Sequence, residues 1–102
     1  MDATLRDWLS AHCAHAPLRL RARVEEYAGR AGEGAVAERL AEAAGLALNE
    51  VLNHPDGGRP VALDLLAADA LITLALLARA EETPAGLEGF AARLFQRYQG
   101  PS

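Results

Sequence analysis

Residues 61–78 read VALDLLAADALITLALLA, and sixteen of these eighteen residues are apolar, small or Thr; the exceptions are Asp64 and Asp69. At helical spacing the apolar residues go all the way round. Leu71, Leu74 and Ala78 fall on one side, and Leu65, Ile72 and Leu76 on the other. A helix with no polar face is normally buried on every side. It can be the central helix of a bundle, or it can be buried at a two-fold interface between two chains. A homodimer is the expectation, because 102 residues give limited cover and monomers rarely expose large apolar patches. Part of the surface could instead line a cavity between helices, although close packing favours interlocked Leu and Ala side chains. The stretch is also long enough to raise a membrane span. Two Asp inside it argue against one, since each is costly near a bilayer centre.

The segments on either side have the patterns of wrapping helices. In DATLRDWLSAHCAHAP, residues Leu5, Trp8, Leu9, His12 and Cys13 share one face, Asp2 or Thr4 can cap, and Pro17 should end the helix near His15. PLRLRARVEEYAGRAG follows, with Pro17 in its first turn, a stripe of Leu20, Val24, Tyr27 and Ala31, and a favourable Glu26–Arg30 pair. After the break GRAGEG, a third helix runs roughly from Ala35 to Asn53, with Val36, Leu40, Ala43, Ala47 and Val51 on one face. HPDGGRP is a loop, and the apolar helix then runs from about Val61 to Glu82. Thr83 and Pro84 are placed to cap and start a fifth helix, whose stripe is Leu87, Phe90, Ala91, Leu94, Phe95 and Tyr98; Gly100 and Pro101 end it. The expected fold is therefore all-α, a compact bundle of five helices in one domain over 1–102, with the apolar helix central or at an interface.

Composition supports that class and removes several functions. Ala and Leu dominate, while β-branched residues are few. Every basic residue is Arg, so there is no Schiff-base lysine and no phosphate-loop lysine. A net charge of −4 makes a nucleic-acid partner a poor expectation. Cys13 is the single cysteine, so no intrachain disulfide forms, which fits a reducing, cytoplasmic setting. The opening MDATLRDW lacks the basic and apolar regions of a signal peptide.

The candidate chemistry is sparse. Asp64 should lie in the first turn of the apolar helix, against its unpaired N–H groups and positive dipole end. Asp69 is two turns in and shares a face with Leu65, Thr73 and Leu76. A buried carboxylate there needs a partner, so Asp69 should pair with an Arg from another helix or sit at the bundle's edge. Its functional reading is a carboxylate that orients a His or acts as a general base in an apolar pocket, with Leu65, Thr73, Leu76 and Trp8 as lining.

His12 and His15 are three residues apart and could offer two metal ligands, but a closed site needs four, and no metal or other cofactor is expected. Cys13 could join a His and Asp69 as a nucleophile only if its pKa were lowered, and a helix C-terminus works against that. Arg19, Arg21, Arg23 and Arg30 could form an anion patch; the neighbouring glutamates favour a solvated mixed-charge face. No motif is specific enough to name a family. The leading expectation is a non-catalytic helical domain that self-associates or binds another protein. The alternative is a small pocket protein or enzyme that binds an apolar small molecule, with Asp69 and a His as its polar groups.

Overall fold

The computed structural model describes residues 1–54, 56, 58–82 and 87–98, apart from the side chains of 59, 87, 88, 97 and 98. Among these residues there are five helices: α1 Ala3–His12, α2 Leu18–Arg30, α3 Val36–Asn53, α4 Arg59–Glu82 and α5 Leu87–Tyr98. Among the described residues there is no strand. The bundle is all-α, as the apolar periodicity requires.

Local signals set the helix ends. Asp2 caps α1: its carboxylate accepts from the Leu5 N–H at 3.0 Å and satisfies one orphan donor of the first turn. The helix stops at His12, about one turn before the position suggested by Pro17, and Cys13 closes it through its N–H to the Leu9 carbonyl at 2.8 Å. Pro17 precedes α2 as its N-cap rather than entering its first turn. Gly34 and Gly58 hold φ of +136° and +109°, so the chain turns into α3 and α4 through backbone conformations that other residues rarely adopt. α4 begins two residues earlier than the sequence pattern suggests, at Arg59, with Pro60 in its first turn. The sequence reading of Thr83, Pro84, Gly100 and Pro101 as boundaries of α5 falls outside the described residues.

The core forms mainly where α3 meets α4, and α4 also packs on α2 and α5. The contact is built from small side chains. On α3, Ala37, Ala41, Ala43, Ala44 and Ala47 are buried; on α4, Ala67, Ala68, Ala75 and Ala78 are. Alanines on both surfaces let two helix axes approach closely. Leu5, Leu9, Val24, Leu40 and Leu71 are the largest fully buried side chains, each contributing about 1.5–3 kcal/mol of transfer free energy. Leu5 and Leu9 join α1 to this cluster, and Phe90 and Leu94 join α5.

α4 is central, but it is not covered on every side. Its inward half is Asp64, Ala67, Ala68, Leu71, Ala75 and Ala78, all buried. Its outward half carries larger apolar residues: Leu65, Leu66 and Leu77 remain 52%, 56% and 42% exposed, while Ile72 and Leu76 are half-buried. Apart from Leu71 and Asp64 the buried side is alanine, while Leu65, Leu66 and Leu77 turn outward.

Candidate functional site

The outward half of α4 is the surface that the fold leaves unresolved energetically. At 3.6 residues per turn, Ala62, Leu66, Asp69, Thr73, Leu76 and Ala80 run along one seam, with Leu65, Ile72 and Leu77 beside it. Asp69 and Thr73 occupy its middle, and both are exposed. The Thr73 hydroxyl donates to the Asp69 main-chain carbonyl at 3.1 Å, one turn back on the same helix. The Asp69 carboxylate has no hydrogen-bond or ion-pair partner among the described residues. Three of the residues grouped with Asp69 by the sequence, Leu65, Thr73 and Leu76, do lie with it on this face. Trp8 lies elsewhere, half-buried on α1.

Asp69 therefore sits at the bundle's edge, one of its two expected placements, and the ion pair with an Arg of another helix is made by Asp64. With α4 starting at Arg59, Asp64 lies in the second turn and points inward, only 8% exposed. One carboxylate oxygen accepts from the Tyr27 hydroxyl at 2.9 Å and lies 3.2 Å from Nε of Arg23. Arg23 and Tyr27 are one turn apart on α2, so together they clamp α4 onto it. Burial and the adjacent Asp64 carboxylate push the Tyr27 hydroxyl up to about 12; the Glu50 charge adds to this and Arg23 opposes it. The same α2 surface holds the mixed-charge face. Glu26 receives Arg23 at 3.2 Å and Arg30 at 2.7 Å, and the Arg30 guanidinium lies 5.2 Å from the Tyr27 ring centroid.

The histidines and the cysteine do not converge on Asp69. His12 stacks on Trp8 with ring centroids 3.8 Å apart. Its Nδ1 is 2.8 Å from the Trp8 carbonyl, and its Nε2 is 3.2 Å from Glu81 at the far end of α4. His12 is therefore a strut between α1 and α4. His15 is exposed beyond the end of α1. Cys13 is buried, and burial pushes its thiol up; the Glu25 charge adds to that and Arg21 opposes it. That shift is opposite to what a thiolate nucleophile needs. No group of three His, Cys, Asp or Glu among the described residues is placed to hold a metal.

Among the described residues, two polar clefts include side chains of α4. One, of about 340 Å³, includes Glu33, Glu38, Glu42, Arg79 and Phe90, with the Arg79 guanidinium 4.6 Å from the Phe90 ring centroid. The other, of about 330 Å³, includes Arg23, Tyr27, Arg30, His54 and Asp64. Asp69 lines neither.

Pro60–Glu82 is long and apolar enough to cross a membrane, with mean hydropathy 2.1, a test of length and composition that the mostly buried core helices of soluble proteins also pass; 39% of its apolar window is buried. Comparison with family models, curated proteins and solved structures gives no match to this chain.

Proposed function

We propose that this protein is a non-catalytic self-association domain, and that the outward face of α4 is the surface through which two copies meet. The observation that carries this reading is the placement of Leu65, Leu66 and Leu77 in solvent while alanines fill the buried side of the same helix. Contiguous apolar faces of this kind mark interaction sites. Each half-exposed Leu, once covered, contributes about 1 kcal/mol. Three from each copy oppose an association cost of at least about 4 kcal/mol. The dimer is then weak and reversible.

A second copy suits this face better than a bilayer. Asp69 lies in the middle of the face, where it would meet acyl chains. The inward side is tied to α2 through Asp64, Arg23 and Tyr27, contacts that a spanning helix would have to give up. A pocket built on Asp69 and a histidine would need those groups to share a cavity, whereas His12 engages Glu81 near the end of α4.

Sedimentation velocity across a dilution series tests the proposal, with flotation on anionic phospholipid vesicles in parallel. A concentration-dependent monomer–dimer boundary and no flotation is the expected result. A monomer at every concentration, or quantitative flotation, overturns it.

A further inference from the structure

The seam on the outward face of α4 reads almost the same in both directions. In order it is Ala62, Leu66, Asp69, Thr73, Leu76, Ala80, with the alternating spacing of four and three residues that suits helix-on-helix packing. Reversal about Leu71 exchanges Ala62 with Ala80, Leu66 with Leu76, and Asp69 with Thr73. The flanking Leu65 and Leu77 exchange in the same way. The match is strongest along the seam: beside it Ile72 exchanges with Ala70, and farther round the helix Ala67 exchanges with Ala75, whereas Asp64 would exchange with Ala78 and Ala68 with Leu74.

We infer that two copies pair through α4 in antiparallel register, with the two-fold axis crossing the outward face at the level of Leu71 and Asp69 of each copy facing Thr73 of the other. This inference rests on the self-association proposed above and specifies its geometry. Charge selects the direction. A parallel, in-register pair would set Asp69 against its own copy in the middle of an apolar seam, two carboxylates with no counter-charge. The antiparallel pair sets each carboxylate against a hydroxyl instead. The Thr73 proton now rests on the Asp69 carbonyl of its own helix, and rotation of that hydroxyl turns it toward the facing carboxylate. On each side of this centre, Leu65 and Leu66 of one copy meet Leu76 and Leu77 of the other. Antiparallel pairing also brings the positive N-terminal end of each helix to the end that carries Glu81 and Glu82.

Single spin labels measure the direction. With Cys13→Ala as background, a label at exposed Glu82→Cys reports the distance between equivalent sites. Residue 82 lies eleven positions from Leu71, so antiparallel pairing separates the two labels by roughly 33 Å along the axis. A mixture of Pro60→Cys and Glu82→Cys proteins should show a short distance between copies. A short distance between equivalent Glu82→Cys labels overturns the antiparallel register and leaves self-association standing. No distance between copies in a sample that sediments as a monomer overturns both. The side-chain pairing has its own test. Thr73→Asp should weaken the dimer at least tenfold, and Asp69→Thr combined with Thr73→Asp should restore it; failure of the double exchange to restore it overturns the Asp69–Thr73 pairing.

Discussion

The Tyr27 hydroxyl donates to the Asp64 carboxylate across 2.9 Å, linking α2 to α4 at a point where little else on α4 is polar. The same carboxylate lies beside Arg23. Asp64 is therefore paired and hydrogen-bonded on the buried side of a helix whose other carboxylate, Asp69, faces outward. The two aspartates have divided the roles that an apolar helix leaves for polar groups. One fixes the helix in its own bundle, and the other lies on its exposed face.

Tyr27 sets the alkaline limit of stability. Its hydroxyl is raised from an ordinary value near 10 to about 12 in the folded chain. The folded state thus holds a proton that the unfolded state releases first. The contribution is complete below pH about 10 and is lost as pH rises through about 12, on the order of 3 kcal/mol at most. Denaturant unfolding at a series of pH values should show this fall. Tyr27→Phe should remove it, at a cost of about 1 kcal/mol near neutrality from the lost hydrogen bond. In a Tyr98→Phe background, absorbance titration should show the remaining tyrosine ionising near 12.

Cys13 should be slow to react. Its thiol is buried and shifted upward by burial and by Glu25. At neutral pH an aromatic disulfide reagent should modify the native protein at least roughly tenfold more slowly than the denatured protein, because reaction needs both thiolate and access. Equal rates would show that the end of α1 opens freely.

The α3–α4 contact should reject larger side chains. Ala44 and Ala75 are fully buried. Ala44→Leu should cost about 1–3 kcal/mol through overpacking. Leu65→Ala, on the open face of α4, should change the stability of the monomer by less than about 0.5 kcal/mol. Thermal unfolding at a concentration too low for association separates the two cases.

Much of this fold is legible in the sequence, because α1, α2, α3 and α5 have apolar stripes at helical spacing, Asp2 caps α1, and Pro17 and Gly34 stand just ahead of α2 and α3. The orientation of α4 is not legible in the same way. When apolar residues go all the way round, periodicity carries no direction, and only packing against the alanines of α3 decides that Leu65 and Leu66 turn outward. The position of Asp64 depends on two residues at the helix start. A start at Val61 would leave it a first-turn carboxylate, whereas the start at Arg59 places it a turn deeper, facing Arg23 and Tyr27. Those partners lie about 40 residues away in sequence, beyond any local spacing rule. One signal was present: Arg23 and Tyr27 are four residues apart, beside the apolar stripe of α2, and could serve one buried carboxylate.

The measurement that bears most directly on the proposed role is sedimentation equilibrium of the natural chain beside Leu66→Arg. Leu66 is more than half exposed in the single chain, so the substitution should leave the helical circular dichroism and the melting temperature of the monomer unchanged. The account predicts that the natural chain dimerises reversibly as its concentration rises and that Leu66→Arg weakens this association at least tenfold. An unchanged dimer in Leu66→Arg, with its fold intact, would contradict the assignment of the outward face of α4 as the contact surface.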